Sequence, residues 1–341
     1  MVTTKDIAER VELSVSTVGR ALADDQRISD ATKLRVRQAA AELGYVGNHA
    51  ARMMRGVPSK VVGLVIPDIR NSFYSTIAHE LSKSFSAQGF QLMLSETDDN
   101  RTNELRQVRE LSANRVAGVI IVPTARPHTE SIRLLQKIPH VQLLRRHTSL
   151  GAHWFGTDDT AMIAQATTHL IELGHERIAY IGGPTGLPTG RARLAGYRAA
   201  MREGERSHTL VEQVPPSSID EGRRAIRRLL DTSPAPTAVV LGSVQPTLGV
   251  LDELRVLGVE VPAELSVVGF GDEPAFSWWG PGLSTISLPL QEMAEACGLW
   301  LVHRLANDSA DEGAYTSVSP GTLVVRGSTG PPPPQHTRKA G

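Results

Sequence analysis

Three successive stretches within the first 44 residues carry apolar side chains at helical spacing, with polar residues between them. A residue that can cap a helix precedes each stretch: Thr3 or Thr4, then Ser14, then Ser29. Gly44 follows the third stretch and suits the left-handed position at which helices end. The pattern predicts three short helices around one small core. The predicted core residues are Ile7, Ala8, Val11, Val18, Ala21, Leu22, Val36, Ala40 and Leu43.

From about Lys60 the pattern changes to short β-branched and apolar runs that alternate with amphipathic stretches, which is typical of βαβ units and a parallel sheet. Ten such runs predict ten strands, and these are better divided between two sheets than placed in one. After Gly327, the prolines at 331–334 and a polar end predict a disordered tail. The predicted strands are Val61–Ile66, Phe90–Leu94, Val116–Val122, His140–Leu144, Trp154–Thr157, Arg177–Gly182, Ala238–Leu241, Leu265–Phe270, Leu283–Ser287 and Leu323–Arg326.

Length and composition place this pattern among globular proteins of several domains. The 341 residues exceed one ordinary core, and 40% hydrophobic with 21% charged residues is a usual globular balance. No apolar run is long enough for a membrane span, and the charges at Lys5, Asp6, Glu9 and Arg10 do not fit a signal peptide. We therefore expect a cytoplasmic protein that does not enter a membrane. Cys297, the single cysteine, lies in an apolar helical run and is expected to be a buried thiol.

The outward face of the second predicted helix carries side chains that can read DNA. Arg20 can donate two hydrogen bonds to a guanine edge, Ser16 can bond several bases, and the methyls of Val15 suit a thymine methyl. Ser14 and Thr17 are short donors that suit backbone phosphates. The net charge is zero, and residues 1–56 hold nine basic against seven acidic residues, so charge adds little support. Spacing alone equally allows an ordinary solvated surface helix.

This segment resembles the headpiece of the LacI/GalR family of bacterial repressors in residue type and spacing, and the resemblance extends over roughly residues 3–326. It puts Val15, Ser16 and Arg20 at the family's base-reading positions, whereas Gly19 and Gly47 depart from the usual serine and proline. The matching motifs are Thr4-Lys5-Asp6-Ile7-Ala8, Leu13-Ser14-Val15-Ser16-Thr17-Val18-Gly19-Arg20-Ala21-Leu22, Ala41-Glu42-Leu43-Gly44-Tyr45-Val46-Gly47-Asn48, Pro67-Asp68-Ile69, Asn71-Ser72-Phe73-Tyr74, Leu173-Gly174-His175-Glu176-Arg177-Ile178-Ala179 and Arg193-Leu194-Ala195-Gly196-Tyr197.

The resemblance implies a fold class and a domain order. It predicts a small all-α helix-turn-helix headpiece over 1–47 and a hinge helix with linker over 48–59. It further predicts an α/β core like that of periplasmic binding proteins over 60–327, and a disordered tail over 328–341. The core would consist of two Rossmann-like lobes, with the chain crossing between them three times, and would serve effector binding and dimerisation.

The hinge segment supplies further predicted DNA contacts. In the family, paired hinge helices form on the operator and push a leucine into a central base step from the minor groove. Met54 stands at that position here, and its apolar side chain is long enough to wedge a base step open. Arg52 and Arg55 flank it and can meet phosphates or the narrow groove, and Asn48 is the fourth predicted contact. Packing within the linker is the alternative role for Met54.

An effector is expected in a cleft at the carboxyl ends of the strands. Arg193 is the main expected contact, because the family uses an arginine there to fork onto ligand hydroxyls or a carboxylate; a surface salt bridge is the alternative. Ser243-Val244-Gln245 and Gly271 replace acidic positions of sugar-binding relatives, which favours an anionic ligand such as a sugar acid. The predicted effector contacts are Phe73, Tyr74, Arg145, Asp158, Thr189, Arg193, Ser217, Gln245 and Asp272.

The predicted partners are double-stranded operator DNA with a pseudo-palindromic site, a small-molecule effector and a second copy of the chain. No leucine heptads follow Leu305, which favours a dimer over a tetramer. The Gly-rich run 182–186 after a strand raises the alternative of a nucleotide-using enzyme, but no phosphate-loop, dinucleotide, nucleophile-elbow or zinc motif is present. We therefore expect no enzyme, no cofactor and no metal. A solute-binding protein is the remaining alternative, but that class is exported and lacks a headpiece.

Overall fold

The computed structural model describes residues 2–45, 59–206, 211–214, 216–307 and 313–334. Two compact units divide the chain, Met1–Ser59 and Lys60–Gly341. The predicted hinge contacts Asn48, Arg52, Met54 and Arg55 lie outside the described residues, so they stay predictions. None of the described helices is both long and apolar enough to cross a membrane.

The first unit contains the three predicted helices, α1 (Thr4–Val11), α2 (Val15–Leu22) and α3 (Asp30–Glu42). Ser14 and Ser29 cap α2 and α3 as predicted, because each hydroxyl accepts a hydrogen bond from the backbone amide three residues later. The core is formed by one stripe from each helix, as the pattern predicts. Its buried members are Ile7, Ala8, Val11, Val18, Ala21, Val36, Ala39 and Ala40.

The second unit alternates helices and strands. Its helices are α4 (Ser72–Ala87), α5 (Arg101–Ala113), α6 (Thr129–Leu135), α7 (Asp159–Glu172), α8 (Pro188–Glu203), α9 (Ile219–Leu230), α10 (Val244–Leu257) and α11 (Leu290–Ala306). Its strands are β1 (Val61–Ile66), β2 (Gln91–Glu96), β3 (Gly118–Ile121), β4 (His140–Leu143), β5 (Trp154–Thr157), β6 (Ile178–Ile181), β7 (Val211–Gln213), β8 (Ala238–Leu241), β9 (Ser266–Phe270), β10 (Ser284–Ser287), β11 (Thr316–Ser319) and β12 (Thr322–Val324).

The strands form two six-stranded sheets, one in each lobe. The first has the order β11-β5-β4-β3-β1-β2 and the second the order β12-β10-β9-β8-β6-β7. The paired strands run parallel except β12, which is antiparallel to β10. The chain enters the second sheet after β5, returns to the first lobe with α11 and β11, and crosses again to β12. These are the three crossings that the resemblance implies, and they confirm the two-lobed prediction.

The sequence pattern misses β7 and β11. Both are short strands without a buried face: β7 is half-buried throughout, and β11 alternates exposed with half-buried residues. Both strands lie at the edge of their sheet, where a strand pairs with one neighbour and does not need a hydrophobic pattern. Cys297 on α11 is fully buried against the core of the first lobe, as predicted, and burial raises the pKa of its thiol.

Residues 328–334 belong to the described part of the second unit, whereas the sequence predicts a disordered tail from residue 328. The Ser328 hydroxyl donates to the Val267 carbonyl at 2.6 Å and accepts from the Ser284 amide at 2.7 Å. Buried His175 lies 2.9 Å from the Gly330 carbonyl through Nε2 and 2.8 Å from the Thr237 hydroxyl through Nδ1. The sequence does not predict this order, because residues 328–330 are held by hydrogen bonds and carry no apolar pattern.

Candidate nucleic-acid interface and ligand cleft

The exposed face of α2 carries the side chains that were predicted to meet DNA. Val15, Ser16 and Arg20 are exposed, while Val18 and Ala21 on the opposite face are buried in the headpiece core. The Ser14 hydroxyl is 2.8 Å from that of Thr17 and caps the helix. The helix therefore presents an apolar group, a hydroxyl and a guanidinium to solvent.

Arg20 differs from the other cations of the headpiece because its guanidinium makes no hydrogen bond or salt bridge within residues 2–45, although its charge contributes to lowering the pKa of Asp25. Arg27 binds the carboxylate of Asp25, and Arg37 binds that of Asp24. The remaining headpiece cations within these residues also have partners: Lys5 with Glu9, Arg10 with Glu42, Lys33 with Asp24 and Asp30, and Arg35 with the Val11 carbonyl. Carboxylates thus pair with the other cations except Arg35, which donates to a carbonyl, while the Arg20 guanidinium stays free to donate hydrogen bonds.

A cleft lies between the two lobes at the carboxyl ends of their strands, where open α/β sheets bind ligands. Its cavity has a volume of about 130 Å³, which suits a small ligand. Seven of the nine predicted effector contacts lie on its wall. They are Phe73, Tyr74, Arg145, Thr189, Arg193, Ser217 and Gln245.

The Arg193 side chain projects from α8 towards the cleft, and three contacts hold its guanidinium in place. Its Nε donates to Asp159 at 2.6 Å, its Nη1 donates to the Gly242 carbonyl at 2.9 Å, and its guanidinium lies 4.0 Å from the centre of the Phe270 ring. Burial raises the pKa of Asp159, and the neighbouring Arg193 opposes that rise. This is a buried ion pair rather than the surface salt bridge that the sequence left open.

Arg145 follows β4 and is paired in the same way. Its Nη2 donates to Asp99 at 3.0 Å, and its Nη1 also contacts the Asp99 carboxylate. Asp68 lines the cleft too and binds the exposed Arg70. Each arginine of the cleft wall therefore meets a carboxylate, and the wall holds carboxylate acceptors as well as donors.

Asp158 and Asp272 lie outside the cleft, in contrast to the prediction. The Asp158 carboxylate is exposed and accepts from the Ala161 amide at the start of α7, so the next residue, Asp159, faces inward. Asp272 binds both terminal nitrogens of Arg326 at 2.7 and 3.0 Å and accepts from the Thr285 hydroxyl. Helix capping and an ion pair within the second lobe hold these two carboxylates away.

Gly271 explains why no side chain follows β9 on the cleft wall. Its φ of +86° is in the left-handed region, and a Cβ there would lie 2.9 Å from the Phe73 ring. Phe73 itself lies 5.8 Å from Phe270, ring centre to ring centre, so two aromatic rings fill this side of the cleft.

Backbone and hydroxyl donors complete the wall. Helices α8 and α10 both begin at the cleft, and neither has a side chain that caps its first amides. The hydroxyls of Ser217 and Ser243 lie 2.8 Å apart at the same end. Uncapped helix N-termini offer N–H groups to ligand oxygens.

Sequence reasoning missed Asp68, Asn71, Asp99 and Ser243 as cleft residues. Asp99 follows β2, whose end was predicted two residues too early, at Leu94 rather than Glu96. A correct strand end would have placed Asp99 at the carboxyl edge of the sheet, where the cleft lies.

Each of the two units matches a known protein family model. Residues 3–48 match the family model of bacterial regulatory proteins of the lacI family, and residues 167–329 match a periplasmic binding protein-like domain. The ribose operon repressor of Escherichia coli strain K12 is 30% identical over 322 residues, covering 92% of this chain and 96% of that protein.

Two solved structures share the fold. The lac repressor dimer bound to operator and the anti-inducer ONPF has a TM-score of 0.83 at 24% identity, covering 96% of this chain and 99% of that chain. A LacI-family regulator from Enterococcus faecium, solved with bound ribose, has a TM-score of 0.71 at 26% identity, covering 80% and 99%. These relatives are transcription regulators and not enzymes, and this chain belongs to the LacI family of bacterial regulatory proteins.

Proposed function

We propose that the chain represses transcription by binding operator DNA through α2 and that a small neutral sugar in the cleft controls this binding. The observation that carries the DNA part is the unpaired, exposed Arg20 beside Val15 and Ser16. A guanidinium that needs no protein partner can fork onto a guanine edge without breaking an ion pair. Acting on operator DNA would place the protein in the cytoplasm.

A pseudo-palindromic site requires two headpieces, so the proposal includes a homodimer formed by the second unit. Edge strand β2 supports this, because Met93 and Leu94 are 38% and 41% exposed there. Replacing both residues with lysine should shift the protein to monomer in sedimentation at micromolar concentration. Val318→Lys, on the opposite edge of the same sheet, is the control. A wild-type tetramer, or a double variant that stays dimeric, would contradict the proposal.

A neutral sugar fits the charge of the cleft. Arg145 and Arg193 are each balanced by a carboxylate, so the side chains offer no excess positive charge. Sugar hydroxyls both donate and accept, which matches a wall with serine hydroxyls, carboxylates and open amides. The ribose operon repressor at 30% identity and the ribose-bound regulator at 26% support a pentose-sized ligand.

A sugar acid is the second candidate. One specific observation favours it: Arg193 Nη2 makes no hydrogen bond to the described residues, and the open N-termini of α8 and α10 lie in the same cleft. A carboxylate could accept from these groups. A sugar acid carries a negative charge that a neutral pentose lacks, so comparison of the two ligands can separate the candidates.

The test begins with selection of genomic fragments that the full chain retains at physiological salt, followed by footprinting of the strongest fragment. The proposal expects a symmetric protected site, whose protection changes on addition of D-ribose or another neutral pentose but not of the matching aldonic acid. A response to the aldonic acid alone would favour the second candidate. Recovery of only non-specific, salt-sensitive DNA would contradict the repressor proposal.

A further inference from the structure

Tyr180 on β6 holds a buried hydroxyl group without a partner. Its side chain is fully buried in the core of the second lobe, and its hydroxyl finds no hydrogen-bond partner among the described residues. A buried hydroxyl that makes no hydrogen bond costs about 1–3 kcal/mol, so such groups usually meet a bound water or ligand. The position of this hydroxyl relative to the cleft therefore matters.

The phenol ring runs along its strand toward the cleft. A Cβ placed on Gly182, the residue that follows β6, would overlap the Tyr180 ring and hydroxyl, and a Cβ on Gly242 would overlap the hydroxyl as well. Gly242 follows the neighbouring strand β8, lines the cleft and accepts the hydrogen bond from Arg193. Two glycines thus leave room for a hydroxyl directly beneath the cleft floor.

Tyr197 on α8 provides an internal comparison. Its ring is stacked on that of Tyr180 at 5.2 Å and is equally buried. Its hydroxyl, however, donates to the Ile178 carbonyl at 2.7 Å and accepts from the Val211 amide at 3.2 Å. The fold satisfies one of two stacked phenols and leaves the other, the one that points to the cleft, unsatisfied.

We propose that the Tyr180 hydroxyl is a specificity-determining group that hydrogen-bonds the effector through one bound water beneath Gly242 and Arg193. This inference rests on the proposed sugar-binding function of the cleft. The water would bond the phenol hydroxyl, the second lone pair of the Gly242 carbonyl, which already accepts from Arg193, and a ligand hydroxyl. Buried waters commonly make about three such bonds. Tyr180 would then add a water-mediated polar contact from beneath the cleft wall to those that the wall side chains supply.

The experiment compares full-length wild type, Tyr180→Phe and Tyr197→Phe in two measurements. The first is the unfolding midpoint without ligand. The second is the affinity for D-ribose by calorimetry, followed by the other neutral pentoses and hexoses. Tyr180→Phe should keep or raise the midpoint and lower the affinity about 3- to 10-fold, the effect of one neutral hydrogen bond. Tyr197→Phe should lower the midpoint and leave the affinity of the folded protein unchanged.

Each other outcome is decisive. Equal affinity of wild type and Tyr180→Phe for a sugar that binds would overturn the inference and leave the proposed function intact. A midpoint that Tyr180→Phe lowers as much as Tyr197→Phe would show that the hydroxyl already has a structural partner, which also overturns it. If no neutral sugar binds wild type, the proposed sugar function fails and the inference fails with it.

Discussion

Replacing Arg193 with methionine should destabilise the second unit even without a ligand. The Arg193 side chain is 13% exposed and that of Asp159 is 6% exposed, and their 2.6 Å contact is therefore a buried ion pair. Removing one partner of such a pair costs about 3–5 kcal/mol, because the other charge stays buried and unpaired. Methionine keeps much of the apolar bulk over Phe270, so lost packing adds little.

A double-mutant cycle separates the ion pair from other effects. Asp159→Asn should cost less, about 1–3 kcal/mol, since the asparagine oxygen can still accept from Arg193. The double variant should be less destabilised than the sum of the two single changes by at least about 1 kcal/mol. Arg191→Met is a matched control two residues earlier on α8, where the side chain is exposed and, among the described residues, donates to the Thr185 and Gly186 carbonyls. It should cost less than about 1 kcal/mol.

Urea unfolding followed by tryptophan fluorescence suits this measurement. All four tryptophans, at 154, 278, 279 and 300, lie in the second unit, so the signal reports on that unit and not on the headpiece. A cost below about 1 kcal/mol for Arg193→Met, or simple additivity in the double variant, would refute the assignment of Arg193 to a buried ion pair that the fold itself requires.

Three further predictions concern other parts of the molecule. Burial lowers the pKa of His175 from its ordinary 6.5, so the unfolded chain binds a proton more readily than the folded one. The free energy of unfolding should therefore fall as the pH drops below about 6.5. His175→Gln should make the free energy of unfolding depend less on pH in urea titrations at pH 5 to 7. Gly271→Ala should cost about 1–2 kcal/mol by the same method, because φ is +86° and the new methyl meets Phe73; unchanged stability would count against this backbone geometry. Arg20→Ala should weaken specific operator binding by about 1–3 kcal/mol in gel-shift titrations, whereas Arg10→Ala, which breaks an exposed ion pair, should leave specificity intact.

The sequence predicts the elements better than it predicts the side chains of the site. Buried strands such as β1 and β8 were found because continuous apolar runs mark strands that are covered on both faces. Resemblance placed Arg193 and Arg145 near the cleft, but it did not reveal that each is already paired. Those pairings depend on Asp159 and Asp99, whose orientation follows from a helix start and a strand end, and boundaries of one or two residues are the least certain part of a sequence reading.

The charge balance of the cleft depends on pairings between side chains that the sequence does not show. The replacement of two acidic positions suggested an excess of positive charge, whereas Asp68 and Asp99 come from turns that a linear motif does not bring together. Tyr180 was equally hidden, because a tyrosine in an apolar strand run is read as core. Only the positions of Gly182 and Gly242 show that its hydroxyl lies at the end of the sheet.

The three crossings between lobes have a consequence for the order in which the chain can fold during synthesis. Strand β11 pairs with β5 in the first lobe, and residues 328–330 bind β9 and β10 in the second, so both lobes wait for the last part of the chain. The core of the headpiece, by contrast, is complete once residue 45 has left the ribosome. A chain truncated before residue 316 would therefore carry a complete headpiece core attached to two incomplete lobes, one without β11 and the other without β12 and residues 328–330.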